Sequence, residues 1–347
     1  MAGTIVFTGA NSSLGIHAVE YLLQKYGSYT AVLTVRDASD SDVNTNALRD
    51  TLRRHPNHAN ASMHELDLSD LSATHAFADE IAGGVKTGKY PPVVALVCNA
   101  YHWNLIADSE ITPDGFDKTL EVNHISHAAL VLRLLGSFGD RGGRIIGISS
   151  DSHWPGKNPM EKYPPSIPAD LNQLTKPAAN PDKEGRGYQR YANSKLMLTT
   201  WIHALNDYLI NGRNLGRIAA FAMDPGNMVD SRALCRNTPT SLHKMQKFVY
   251  KPLLPLLRFV NPTLRTAAPA AIDVIELALN PIYTGLRGYF IGLKKAESSP
   301  ESNDKAKQKL VWNRTQNRSA ERVRLMHISL TCMLNRGKSV FFWSDVP

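Results

Sequence analysis

Thr4-Ile5-Val6-Phe7-Thr8-Gly9-Ala10-Asn11-Ser12-Ser13-Leu14-Gly15 is the stretch whose reading decides the fold. Residues 4–7 form a short apolar strand, and residues 16–26 carry helical spacing. The turn between them offers backbone N–H groups and a helix N-terminus, a combination that holds a pyrophosphate. Gly9 permits the tight turn, and Gly15 lets the helix approach the strand. A second strand at 29–35 follows at the distance of a βαβ unit. Taken alone, the stretch could also be an ordinary strand-to-helix turn.

Working outward, the alternation continues. A helix is expected at 48–54, a strand at 63–66 ending in Asp67-Leu68, and a helix at 70–82 leading through Gly83-Gly84 to a buried strand at 93–98. That strand ends in Asn99-Ala100. A long helical pattern at 112–135 contains Asn123, His124 and His127. A strand at 144–149 ends in Ser149-Ser150, and later strands are expected at 217–222 and 288–291, with helices at 266–279 and 305–319. Such alternation predicts an α/β fold, a Rossmann-type doubly wound parallel sheet of about seven strands with helices on both faces. Functional groups should gather where the strands end. Arg36 closes the second strand, where a carboxylate would grip a ribose 2′-hydroxyl and an arginine suits a 2′-phosphate. Asp37 beside it leaves NAD(H) open, and NADP(H) is the expectation. His124 and His127 lack a third ligand in a suitable pattern, so packed histidines are expected there and no metal site.

Arg190-Tyr191-Ala192-Asn193-Ser194-Lys195 opens another helical run. Tyr191 and Lys195 are i and i+4 and share a face. An ammonium beside a phenol favours the phenolate, which would lower the Tyr191 pKa and suit it to acid–base work. The chain carries a second such pair, Tyr21…Lys25, read as an ordinary helix face.

The hydrophobic share of 43% is ample for a core in a chain of 347 residues. Three scattered cysteines, Cys98, Cys235 and Cys332, offer neither a disulfide framework nor metal spacing. With no basic-then-apolar leader, a reducing, cytoplasmic location is expected, with peripheral contact to an intracellular membrane as an option. No apolar run approaches the ~20 residues a bilayer span needs. The formal charge is +8, and residues 294–347 hold eleven Lys/Arg and five Asp/Glu, a net +6. A solvated terminal helix is expected there rather than a nucleic-acid site.

In this order, Thr8–Gly15, Asp67, Asn99-Ala100, Asn123, Ser149-Ser150 and Tyr191…Lys195 resemble the short-chain dehydrogenase/reductase superfamily. Four stretches resemble one branch in particular, that of the WW-domain-containing oxidoreductases, retinol dehydrogenases and protochlorophyllide reductases. They are residues 96–100, 122–127, 149–153 and 224–228. The resemblance implies that Tyr191 is the general acid/base and that Lys195 lowers its pKa and holds the nicotinamide ribose. Ser150 would bond the substrate carbonyl, and Asn123 would support a relay water. It further implies that Gly9, Ser13, Leu14 and Gly15 line the cofactor phosphates, Arg36 the 2′-phosphate, Asp67 and Leu68 the adenine, and Asn99 a ribose. Pro225 and Gly226 would pass under the nicotinamide. Three positions depart from the pattern. Ser13 replaces a glycine, Tyr101 replaces the glycine after Asn-Ala, and Asp224 precedes Pro225 where the branch often has histidine.

Residues 1–320 are thus expected to form one NAD(P)-binding domain, with an insertion at 152–188, a flap at 227–264 and an unassigned tail at 321–347. The Pro-rich insertion is either a rim of the substrate site or a solvated linker. The apolar run at 248–260, beside Lys244, Lys247, Lys251 and Arg258, could pack on the domain, cover a hydrophobic substrate or rest on a membrane. The expected activity is NADP(H)-dependent interconversion of a carbonyl and a secondary alcohol on a lipophilic, cyclic substrate, as in a ketoreductase of specialised metabolism. Sterol or retinoid oxidation at a membrane, reduction of a carbon–carbon double bond, and a non-catalytic cofactor scaffold are the alternatives. A homodimer is allowed.

Overall fold

A computed structural model describes residues 2–316. The strands of its main sheet are β1 (Thr4–Phe7), β2 (Thr30–Val35), β3 (Ala61–Glu65), β4 (Val93–Cys98), β5 (Gly143–Ile148), β6 (Ile218–Asp224), β7 (Gly288–Ile291) and β8 (Lys294–Lys295). They lie in the order β8-β7-β6-β5-β4-β1-β2-β3, parallel except for β8 against β7. Eight strands rather than seven result from that two-residue antiparallel return at the edge, too short to leave a periodic signal.

Alternation along each strand sends side chains to both faces. On β1, Val6 joins one apolar cluster with helices α3 (Leu71–Lys86), α4 (Ser126–Leu134) and α5 (Lys183–Asn211). Ile5 and Phe7 join the other, with α1 (Ser13–Lys25), α2 (Val43–Arg53) and α7 (Ala267–Leu279). Between α5 and α7 the chain forms helix α6 (Lys251–Val260). Both faces are covered, which is why the central strands read as continuous apolar runs. A third, smaller cluster of Trp103, Leu105, Tyr188, Ala192 and Leu242 also forms.

The strand order places the switch of direction between β1 and β4, opening a crevice beyond their carboxyl ends. Several local expectations change here. The helix expected over 112–135 starts only at Lys118 and passes through a π-turn at Glu121–Ile125 before α4. Asp117 stops the pattern from running further back, because its carboxylate caps Leu120 N. α3 runs straight through Gly83-Gly84, since the Tyr90 ring packs where a Gly84 side chain would stand. α5 begins at Lys183, capped by Asp182, so the last residues of the expected insertion are helical. The prolines at 252 and 255 do not break the apolar run, which forms α6 with Pro255 inside it. The expected terminal helix covers 305–316, and the tail at 321–347 lies outside the described residues.

Tyr21 and Lys25 serve packing. Tyr21 Oη and Lys25 Nζ both donate to Glu276 Oε1, at 2.6 and 2.7 Å, and Tyr26 Oη joins at 3.1 Å. The group fastens α1 to α7.

At Gly9 φ is +66°, and a Cβ would lie 2.9 Å from Ala100 Cα. Gly9→Ala should therefore lower unfolding free energy by about 2 kcal/mol or more in urea melts. An unchanged midpoint would contradict this close approach.

Candidate functional site

The turn after β1 is held from β4. Asn99 Nδ2 donates to Thr8 O at 2.9 Å, Gly9 O at 3.0 Å and Ser12 Oγ at 3.2 Å. Thr8 Oγ1 accepts from Asn99 N and Ala100 N and meets His127 Nε2 at 2.9 Å. Burial pulls His127 down to about 3, so it stays neutral. Ser12 Oγ caps α1 by accepting from Gly15 N. Asn99, expected to face a ribose, spends its amide on this turn. His124, for its part, meets Thr315 Oγ1 at 3.0 Å.

Two cavities flank the turn. The larger, of about 450 Å³, is lined by Gly9, Arg36, Asp67 and Leu68, as expected, and by Arg232 and Arg236, which were not. The smaller, of about 150 Å³, brings together Leu14, Asn99, Ser150, Tyr191, Lys195, Pro225 and Gly226. Tyr101 borders both. Asn158 and Met160 carry the Pro-rich segment to the smaller cavity, on the rim side of the two readings.

Lys195 Nζ donates to Ile148 O at 2.6 Å and lies 5.6 Å from the centre of the Tyr191 ring. Tyr191 packs edge-on against Tyr101 and Trp103, with centroids 6.3 and 5.4 Å away. The expected lowering of its pKa is absent. Desolvation pushes the phenol up, Tyr101 adds to this, and a hydrogen bond to Ser150 opposes it. The low-dielectric surroundings outweigh the Ser150 hydrogen bond. Burial in turn pulls Lys195 down to about 7, with Asp224 opposing. Asp224, at the end of β6, is raised to about 7 by burial and by Asp151.

Asn123 lines neither cavity. On the π-turn, its amide donates to His102 O at 3.0 Å and Ser194 Oγ at 2.8 Å, while its Oδ1 accepts from His102 N at 2.7 Å. Every polar group of this side chain is engaged in fastening the segment after β4 to α5.

Sequence reasoning placed a flap at 227–264 but missed its contact with the turn after β1. Arg232 N donates to Ser13 Oγ at 3.0 Å, and its guanidinium donates to Asn11 O and Asn44 Oδ1. The loop thus rests on the turn from 219 residues away, a separation that leaves no local signal. Arg36, Arg232 and Arg236 meet in the larger cavity, where they could hold a phosphate on an adenosine ribose. Nicotinamide dinucleotide fits both ends of this crevice. The larger cavity offers guanidinium groups beside Gly9, and the smaller cavity presents Tyr191 and Lys195 together with Pro225.

Residues 3–166 match the family model described as short chain dehydrogenase, and residues 232–320 match the AcuH dehydrogenase domain. The chain is 29% identical to the short-chain dehydrogenase iccH of Talaromyces variabilis, over 90% of this chain and 94% of that protein. It is 46% identical to the dehydrogenase acuH of Aspergillus aculeatus over 79 residues, 23% of this chain and 81% of that one. Among solved structures, an NADPH-bound carbonyl reductase from chicken fatty liver shares the fold. Its TM-score is 0.55 at 18% identity, covering 86% of this chain and 99% of that one.

Free aspartate titrates near 4 and native Asp224 at about 7, so the folded state holds this proton more tightly. Its contribution to stability is complete below about pH 4 and is lost as pH rises through 7. Lys195 is charged in both states below about pH 6.5 and adds no slope there. Asp224→Asn should therefore gain in Tm over wild type as pH rises from about 4.5 to 6.5, measured by scanning calorimetry. A pH-independent difference would contradict the raised Asp224.

Proposed function

The chain belongs to the short-chain dehydrogenase/reductase superfamily, and on that premise we propose that it is an NADP(H)-dependent oxidoreductase interconverting a carbonyl and a secondary alcohol on a lipophilic ring substrate. The observation that carries this reading is that Tyr191, Ser150 and Lys195 line one cavity together with Pro225 and Gly226. A bound nicotinamide would supply or take the hydride. The chain's own residues bind the substrate oxygen and move its proton.

Ser150 and Tyr191 both offer hydroxyls to that oxygen. Held high by desolvation, the phenol stays protonated at neutral pH, yet an alkoxide is a far stronger base and takes its proton. The Lys195 ammonium, anchored on Ile148 O, stabilises the charge left behind. Residues 1–320 act as one domain in this reading, with 152–188 as the rim and 227–264 as the flap. Arg36, Arg232 and Arg236 support a preference for the phosphorylated cofactor. Trp103, Tyr188, Met160, Met228 and Leu234 line the smaller cavity with rings and apolar chains. Such walls suit a polyketide, terpenoid or sterol skeleton, and a ketoreductase step in specialised metabolism is the setting we assign.

Two outcomes follow. Tyr191→Phe should lower kcat on a panel of cyclic ketones by about 10²–10⁴-fold while leaving NADPH affinity unchanged. Persisting turnover, or consumption of enones but not ketones, would contradict the assignment. Arg232→Ala should weaken NADPH binding by about 10–100-fold and NADH binding hardly at all, by isothermal titration. Equal losses for the two cofactors would remove the 2′-phosphate role.

A further inference from the structure

From 231 to 272 the chain has seven Lys/Arg and no Asp/Glu, a net +7 in a protein whose formal charge is +8. The same stretch leaves apolar surface open. None of the described side chains of α6 is buried, and Phe248, Leu256 and Phe259 are 65%, 65% and 87% exposed. At about 100° per residue these three fall on one arc with Val249 and Leu253. Tyr250, Leu254 and Leu257, half-buried, occupy the opposite side. Exposed Lys247, Lys251 and Arg258 fall along an edge between the two, with Lys244 one turn before. None of these four cations forms an ion pair among the described residues.

The helix is nonetheless firmly rooted. Leu242 is buried, and Gln246 Nε2 donates to Val229 O and Ser231 O at 3.0 and 2.8 Å. Those carbonyls belong to the segment that supplies Met228, Ser231, Ala233 and Leu234 to the smaller cavity. An open apolar stripe, an edge of cations without carboxylate partners among the described residues and the smaller cavity are therefore joined by one short loop.

We propose that residues 240–260 seat the protein on an anionic membrane surface. The stripe enters the boundary between headgroups and acyl chains, and the lysines meet the phosphates and carboxylates of the lipids. A second copy is a poor occupant, since a twofold contact would press two acid-free surfaces of like charge together. The inference deepens the reading of a lipophilic substrate and rests on it for its purpose, because a ring compound dissolved in the bilayer would reach the cavity without crossing water. Among the described residues no helix is long and apolar enough to cross a membrane, so contact through this stripe would be peripheral.

The test is cosedimentation of the full chain with vesicles of phosphatidylcholine alone, or with about a third of phosphatidylserine. Wild type should bind the anionic vesicles and largely ignore the neutral ones. Leu256→Glu with Phe259→Glu, and separately Lys247→Glu with Lys251→Glu, should each lower the bound fraction by about tenfold or more. Both variants should keep the wild-type Tm and NADPH affinity, since every altered side chain is exposed. Loss of NADPH binding in the wild type would sink the catalytic reading and leave this one standing. Wild type remaining in the supernatant would overturn the proposal. So would variants that bind as well as wild type, which would move the contact to the basic tail. Light scattering that shows a dimer which Leu256→Glu dissociates, with no vesicle binding, would give the stripe to a second copy and overturn it as well.

Discussion

The bond from Lys195 Nζ to Ile148 O, 2.6 Å long and buried, is the constraint on which the site depends. Ile148 ends β5, and Ser150 stands two residues further on. Lys195 lies on α5 one turn beyond Tyr191. One hydrogen bond thus fixes the helix that carries the phenol against the strand that carries the hydroxyl. An ammonium in so dry a place needs a partner, and the Ile148 carbonyl provides one. Asn123 acts on the same helix from the other side through Ser194, so α5 is held on both flanks at the height of the reacting groups.

How far the sequence reveals this follows from the range of the interactions involved. A pair four residues apart on a helix is local, and Tyr191…Lys195 was legible for that reason. So was Tyr21…Lys25, which has the same spacing and only ties α1 to Glu276. Spacing finds both, and only the strand ends nearby tell them apart. Gly9, Asn99, Ser150 and Pro225 each lie within two residues of a strand's end, so parallel order alone predicts that they converge. The direction of the Tyr191 pKa was not legible, because the desolvation that sets it comes from Tyr101 and Trp103 packing across the cavity. The side-chain contacts of Asn123 were not legible for a similar cause. Its π-turn and its partners on α5 depend on tertiary contacts that a helical pattern cannot show.

The loop after Gly226 links the two halves of the account. At its start it borders the smaller cavity, at Arg232 it crosses the phosphate turn, and at Gln246 it roots an exposed apolar helix. Tyr101 borders both cavities beside the same loop. The resemblance to acuH falls within this C-terminal half, since the matching domain spans residues 232–320.

The most direct test is a crystal structure of the protein grown with NADP+. The account predicts the nicotinamide in the smaller cavity beside Tyr191 and Lys195, and the ribose 2′-phosphate among Arg36, Arg232 and Arg236. A nicotinamide bound elsewhere, or a phenol and ammonium turned away from it with the Lys195–Ile148 bond broken, would contradict it.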